Sequence, residues 1–339
     1  MRTIDWDSKK NNIIMIDQTL LPGEYKIIEC DTIGSLCEAI KSLRVRGAPA
    51  LGAAGGFGVA LAAYRSNAPT LDVLIDEVAK AGKTIISTRP TAVNLSWGVK
   101  RVIRAIEDAN NIKEVRVFSL DEAKAIADED VEKNRELGRY GAALLDDGDT
   151  VMTHCNAGRL ACVDWGTALG VIRSAREEGK DIKVISCETR PLNQGSRITA
   201  WELMEDKIPV TLITDSMSGH VMRKGMVDKV IVGADRITQD AVFNKIGTYT
   251  HSVIAKEHGI PFYIAAPVST FDFEHYEDDI EIELRKPEEL MYFGKHQIAP
   301  LDVKVYNPAF DATPMENVTA VITENGVFYP PFLIDEVRI

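Results

Sequence analysis

The sequence predicts an α/β protein, mainly helical in its first third and built on a doubly wound parallel sheet in its second half. Three observations carry that reading. Beyond Gly148, short apolar runs alternate with helix-period segments over short links, the β-α-β-α pattern of a parallel sheet. Before that point, apolar residues recur at helical spacing in several long stretches. At the very start, short apolar runs broken by turn residues read as a small strand cap.

The cap runs are residues 12–16, 20–23 and 25–29. At Thr32 the period becomes helical, and Ile33, Leu36, Ala39, Ile40 and Leu43 mark one face. A Gly/Ala-rich helix is expected after Pro49, with others over 71–87 and 92–110. Ser119 and Glu122 make a capping-box pair, which predicts a long helix over 119–145 joining the two halves. The later strand candidates are 150–153, 183–187, 210–213, 229–232 and 262–265. Helices are expected between them over 157–178, 195–205, 216–224 and 247–258. The acidic stretch 272–289 reads as a solvated excursion, and 318–323 as one more strand.

Composition narrows the function. A chain of 339 residues can bury two cores. With 45% hydrophobic and 27% charged residues it fits an ordinary globular protein. The net charge of −12 argues against nucleic acid as a partner, while a local basic cluster still suits a small anionic substrate. Five cysteines, an odd number in a long chain, argue against a disulfide scaffold. Neither CxxC nor HExxH occurs, so no common metal site is expected. The charged start, MRTIDWDSKKNN, lacks a signal peptide's apolar stretch, so a cytoplasmic location is expected. Residues 47–64 carry no charge, but their five glycines and few Leu or Ile read as a packed, buried helix rather than a membrane span.

In open parallel sheets, ligands bind beyond the carboxyl ends of the strands. Each run here is followed at once by unusual residues: His154-Cys155-Asn156-Ala157-Gly158, then Glu188-Thr189-Arg190-Pro191 with Asn193-Gln194-Gly195, then Asp215-Ser216, Gly233-Ala234-Asp235-Arg236 and Ala266-Pro267-Val268-Ser269. Cys155 is expected where a strand enters a helix, and donors there lower a thiol pKa; the alternative is a buried, inert cysteine. Cys30, Cys37, Cys162 and Cys187 keep that second reading. Strand alternation sets His154 and Cys155 on opposite faces, so no dyad is expected between them. Asp235 follows a strongly apolar run, which predicts a desolvated carboxyl suited to general acid work. Its alternatives are a helix N-cap or a partner for Arg236. Asn244-Lys245, nine residues on, offers a donor and a cation. Arg44-Val45-Arg46-Gly47-Ala48-Pro49 and Thr88-Arg89-Pro90-Thr91 each set an arginine before a helix, a phosphate cradle or else plain surface charge. Arg190 joins them as an anion-site candidate. The glycines of 52–58 lack the G-x-G-x-x-G spacing, so no nucleotide cofactor is expected.

The segments RVRGAPALGAA (44–54), STRPTAVNLSW (87–97), THCNAG (153–158), ETRPLNQGSRITAWEL (188–203), ITDSM (213–217) and GADRIT…NKIGTY (233–249) together resemble the methylthioribose-1-phosphate isomerases. That family is related to the regulatory subunits of translation initiation factor two B. The resemblance runs over nearly the whole chain. It implies a helical N-terminal domain (1–118), a connecting helix (119–145) and a Rossmann-like catalytic domain without nucleotide (146–339), usually in a homodimer. It assigns catalysis to Cys155 and Asp235, and substrate binding to Arg46, Gly47, Ala48, Arg89, Gln194, Asn244 and Lys245. The implied reaction turns 5-methylthioribose 1-phosphate into 5-methylthioribulose 1-phosphate in methionine salvage, with no cofactor and no metal. Arg159-Leu160 and Asp164-Trp165 depart from the family's pattern, which opens the identity of the C5 substituent. Ribose 1,5-bisphosphate isomerases, which follow the cysteine with His-Ser-Lys instead of Asn-Ala-Gly, are the alternative enzyme. A ligand-binding regulatory subunit is the alternative of another class.

Overall fold

The computed structural model describes residues 2–90, 92–332 and 334–338. The chain forms two compact units. One runs to Arg135 and includes Gly158–Gly166; the other comprises Glu136–Ala157 and the chain from Thr167 on.

The first unit opens with an antiparallel sheet of β1 (Ile4–Asp7), β2 (Asn12–Ile16) and β3 (Ile27–Cys30). Residues 20–23, expected as a strand, form a turn instead. Helices α1 (Ile33–Lys41), α2 (Ala48–Arg65), α3 (Leu71–Ile86), α4 (Val93–Ala105) and α5 (Ile112–Ala142) follow. Thr32 caps α1, its Oγ1 accepting from Ser35 N at 3.1 Å, and Thr70 caps α3 in the same way. The α5 start differs from the expectation by seven residues. Asn111 is the cap: its Oδ1 accepts from Glu114 N at 3.0 Å, and the Glu114 carboxylate accepts from Asn110 N at 2.7 Å. Ser119 is buried inside the helix, its hydroxyl donating to Arg116 O at 3.0 Å. The capping-box pattern was therefore present in sequence but out-competed by an earlier Asn.

Leu36, Ile40, Phe57, Leu61, Leu95, Val99 and Val102 lead this unit's core. Its glycines let α2 and α4 approach closely. A Cβ on Gly98 would lie 2.0 Å from Gly52 O, and one on Gly55 2.6 Å from Leu95 O. Close helix packing thus accounts for the glycines at 55 and 98. Among the described residues, no helix is long and apolar enough to cross a membrane.

The second unit holds strands β4 (Thr150–Thr153), β5 (Lys183–Cys187), β6 (Val210–Ile213), β7 (Lys229–Val232), β8 (Arg236–Ile237), β9 (Ala241–Lys245), β10 (Phe262–Ala265), β11 (Tyr292–Phe293), β12 (His296–Gln297), β13 (Phe310–Pro314), β14 (Ala320–Thr323) and β15 (Gly326–Phe328). Its helices are α6 (Ala168–Glu177), α7 (Ala200–Glu205), α8 (Ser218–Arg223), α9 (Thr248–Glu257) and α10 (Glu288–Met291). The main sheet has the order β15-β14-β10-β7-β4-β5-β6 and is parallel except for β15. All five apolar runs expected beyond Gly148 are strands of this sheet. The chain winds from β4 outward to β6, then returns to the other side of β4 with β7. The order thus reverses between β4 and β7, and that switch point is where parallel sheets open a crevice. A second, antiparallel sheet, β13-β9-β8, lies beyond β7 in the chain. The sequence reading missed it, because β8 is two residues long and β9 (AVFNK) and β13 (FDATP) carry no unbroken apolar run.

Candidate active site

Cys155 stands two residues past β4, 9% exposed, with φ at +63°. A side chain held in that left-handed region costs of order 1–3 kcal/mol and persists only where its surroundings over-determine it. They do so here. The Cys155 N–H donates to Thr189 Oγ1 at 2.8 Å, and its carbonyl accepts from Thr199 Oγ1 at 2.6 Å. Thr189 is also left-handed, at φ +66°, which is an outlier for a β-branched residue. Asp215 holds it in place: Oδ1 accepts from Thr189 N and Oδ2 from Arg190 N, each at 2.7 Å.

A buried polar chain braces the next residue. Asn156 Nδ2 donates to Glu202 Oε1 at 2.9 Å and to Thr199 Oγ1 at 3.2 Å. Arg173 Nη2 donates to Glu202 Oε2 at 2.7 Å, and its Nε to Asp206 Oδ2 at 2.7 Å. Asn156, Thr199, Glu202 and Arg173 are all buried. Nothing in the local sequence flagged Arg173 or Glu202; only the tertiary fold brings them under the Cys155 turn.

One expectation is corrected. Cys155 does not enter a helix directly, because α6 begins thirteen residues later, at Ala168. The α6 donors also face another acceptor: Thr167 N and Leu169 N both donate to Ala157 O, at 3.0 and 3.2 Å. Two glycines interrupt the expected helix. Gly166 has φ +88°, and a Cβ there would lie 2.4 Å from the Gly158 carbonyl carbon. His154 is engaged elsewhere, its Nε2 donating to Ile246 O at 2.9 Å.

Asp235 follows β7, the strand beside β4. Gly233 brings the two strand ends together: a Cβ there would lie 2.6 Å from Ala157 Cβ. The Asp235 N–H donates to Phe243 O at 2.8 Å, one step beyond the Arg236–Phe243 pair. Asp235 therefore lies beside Asn244, and Asp311 pairs with Asn244 from the other side. Residues directly opposite across strands share a face. Against expectation, Asp235 is exposed. The apolar run ends at Val232, and the Gly-Ala turn lifts the carboxyl clear of it. Arg236 is not matched to Asp235 but to Asp272, at 2.8 Å. Asn244 is buried, its Nδ2 donating to Thr248 Oγ1 at 3.0 Å. Lys245 comes next along β9, so it faces the other way. Its ammonium donates to Ala309 O at 2.9 Å and sits 4.7 Å from the centre of the Phe310 ring. Asp311 is a carboxyl the sequence reading missed. Burial pushes it up to about 6 although Gly247 N and Tyr249 N donate to it.

Gln194 is 7% exposed, and its Oε1 is buried with no hydrogen-bond partner. Such an acceptor costs about 1–3 kcal/mol, and a ligand hydroxyl would remove that cost. It is fixed by left-handed Asn193 (φ +56°) before it and by Gly195 after it, where a Cβ would lie 1.6 Å from Cys187 O. The Arg190 guanidinium donates to Pro191 O at 2.9 Å and to Glu289 O at 3.4 Å, tying its loop to α10.

The remaining candidates belong to the first unit. Arg46 precedes α2, and Gly47 is the α2 N-cap at φ +91°. A Cβ on Gly47 would lie 2.2 Å from Ala161 O, so only glycine fits. Ala48 is the first helical residue. Arg44, from the same basic cluster, is bound instead to Asp17 and Glu38. Arg89 lies in the turn after α3, its N–H donating to Ile86 O. Thr91, part of that second basic loop, lies outside the described residues. All five cysteines are free thiols and buried; burial pushes Cys30 up to about 11 and Cys187 higher still.

Comparison with known proteins places the chain in a family and gives many matches, among them one named relative and two solved structures. The initiation factor 2 subunit family matches residues 44–330. A Methanosarcina acetivorans protein, provisionally named methylthioribose-1-phosphate isomerase, is 67% identical over 100% of this chain and 97% of its own. A solved structure of 5-methylthioribose 1-phosphate isomerase from Pyrococcus horikoshii OT3 superimposes with a TM-score of 0.92 at 46% identity, covering 98% of this chain and 93% of that one. A solved structure from A. fulgidus, titled translation initiation factor eIF-2B subunit delta, also gives 0.92, at 61% identity over 99% of both chains.

Proposed function

The chain belongs to the methylthioribose-1-phosphate isomerase branch of the initiation factor 2 subunit family, and we propose that it converts 5-methylthioribose 1-phosphate to 5-methylthioribulose 1-phosphate. The observation that carries this is the placement of Cys155 and Asp235 at the carboxyl ends of adjacent parallel strands, on either side of the switch point. In this reading the enzyme serves methionine salvage in the cytoplasm as a homodimer, and also accepts 5-deoxyribose 1-phosphate.

The chemistry explains the pair. Phosphate esterifies the anomeric oxygen, so the sugar cannot open to a free aldehyde. Asp235 donates a proton to the ring oxygen as the C1–O bond breaks. Hydrogen then moves from C2 to C1 beside Cys155, and the 2-hydroxyl proton leaves as the C2 ketone forms. One proton is taken up and one released, so the isomerisation balances. A sugar ring seated over Asp235 supplies the desolvation that the exposed side chain lacks. Gln194 accepts from a sugar hydroxyl, while Asn244 orients the substrate beside Asp235. Arg46, the Gly47 and Ala48 N–H groups, Arg89 and Lys245 are assigned to the phosphate on the strength of the matched motifs. Turnover in heavy water separates the two routes past Cys155. Deuterium at C1 of the product identifies a proton shuttle through the thiol and overturns a direct hydride shift.

Likeness to the A. fulgidus eIF-2B subunit delta structure favours a second reading, in which this chain is a regulatory subunit that binds a ligand without turnover. A coupled assay on 5-methylthioribose 1-phosphate, 5-deoxyribose 1-phosphate and ribose 1,5-bisphosphate decides among the readings. Turnover of the first supports the isomerase. Turnover of the bisphosphate alone overturns the substrate, and no turnover of any supports the regulatory subunit. Within this assay, Arg159→Ala is expected to change the preference among the three C5 substituents more than it changes the melting temperature. Unaltered preference ratios would reject a role for Arg159 in reading that substituent.

A further inference from the structure

Four side chains that the proposed reaction does not use meet close to the Cys155 turn. His154 follows β4, Cys187 ends β5, Asp215 follows β6, and His251 lies on α9. One possible ligand atom from each falls within 4.8 Å of the others. His251 Nε2 is 3.2 Å from His154 Nδ1, and that same Nδ1 is 3.7 Å from Asp215 Oδ1. Around tetrahedral zinc, with bonds of about 2.0–2.3 Å, neighbouring ligand atoms are roughly 3.3–3.7 Å apart. Both distances already match the edges of such a shell.

The protonation pattern suits a cation as well. Ile246 O can only accept, so His154 carries its proton on Nε2 and presents the Nδ1 lone pair to the cluster. A carbonyl on the far nitrogen is the usual outer-shell support of a metal-binding histidine. As the rings stand, His251 Nε2 donates to His154 Nδ1, so ligation by His251 moves its proton to Nδ1, which is buried with no hydrogen-bond partner. Asp215 is oriented by the Thr189 and Arg190 N–H groups. His154, Cys187 and His251 are buried, unlike the exposed acidic clusters that commonly hold nothing.

We propose that His154, Cys187, Asp215 and His251 form a binding site for Zn2+ or a divalent transition ion of similar size. Imidazole, thiolate and carboxylate together select such an ion over Mg2+ or Ca2+, which prefer oxygen alone. On binding, the Cys187 S–H bond breaks heterolytically, the sulfur bonds to the metal and the proton passes to solvent. Thiolate and carboxylate then balance the ion's two charges, leaving a neutral buried site. Four protein ligands close the shell, so the role is structural rather than catalytic. The ion ties the ends of β4, β5 and β6 to α9 and steadies the strained Cys155 and Thr189 turns. This assignment is independent of the proposed reaction, and its test does not read turnover.

The test is a Co2+ titration of full-length protein first stripped by a chelator and dialysed. The expected result is one equivalent bound, with a thiolate-to-cobalt charge-transfer band and tetrahedral visible absorption, both displaced by one equivalent of Zn2+. Cys187→Ser should lose the charge-transfer band, and His251→Gln should weaken Zn2+ binding at least tenfold, with far-ultraviolet circular dichroism confirming that each is folded. Zn2+ should raise the wild-type melting temperature and leave that of Cys187→Ser unchanged. A wild-type protein with no thiolate band overturns the proposal. So does a band that survives in Cys187→Ser or disappears in Cys155→Ser instead. If His251→Gln does not fold, the wild-type and Cys187→Ser spectra decide alone.

Discussion

Asp235→Asn is expected to lower kcat for 5-methylthioribose 1-phosphate by about 10²–10⁴-fold, the range a positioned general acid contributes. The substitution keeps the side chain's size and its place beside Asn244 while removing the transferable proton. KM should move little, because the proton reaches the ring oxygen only as the bond breaks. The backbone bond from Asp235 N to Phe243 O does not involve the side chain, so the strand should keep its register. Cys155→Ser is the companion measurement. Serine is nearly isosteric and leaves the bonds to Thr189 and Thr199 intact, since both use the Cys155 backbone. A comparable loss of kcat with an unchanged melting temperature places the thiol at the hydrogen transfer. Full activity in both variants would sink the mechanism, whatever the family.

The parallel sheet was legible chiefly because its central strands are buried on both faces. Runs such as Lys229–Val232 and Phe262–Ala265 are fully buried, and burial on both sides writes itself as unbroken apolar sequence. Strand-end placement of Cys155 and Asp235 followed from the same runs. What was not legible depends on contacts distant in sequence. The α5 start hinged on whether Asn111 or Ser119 would cap, and both are competent caps locally. The helix expected after Cys155 failed at Gly158 and Gly166, where backbone crowding, not periodicity, decides. The exposure of Asp235 could not be read from the apolar strand before it, because two turn residues suffice to lift a carboxyl clear. The short strands beside it were invisible for a different reason. At Arg236–Ile237 two residues leave no period, yet this pair and β9 are what set Asp235 next to Asn244.

Arg173→Leu is expected to destabilise the protein by about 3–5 kcal/mol, the loss typical of removing one partner from a buried ion pair. Arg173 is 4% exposed and is shared between Glu202 and Asp206. Without it, the Glu202 carboxylate, 1% exposed, loses the guanidinium bonded directly to it. A buried carboxylate deprived of that cation is costly to keep charged. Asp206 is partly exposed and can return to water, so the cost concentrates on Glu202. Urea midpoints at neutral pH measure it. The double variant Arg173→Leu/Glu202→Leu tests the cause, because it removes the stranded charge as well. It should be more stable than the single variant by about 1 kcal/mol or more, since an apolar pair of similar volume replaces an ion pair at little cost. Activity should not return with stability. Asn156 loses its Glu202 acceptor in the double variant, and the Thr199 hydroxyl, which Asn156 also contacts, is what holds the Cys155 carbonyl. A double variant no more stable than the single one would mean that Arg173 acts through packing rather than charge. A double variant that regained full activity would mean that the polar chain under the Cys155 turn serves folding alone.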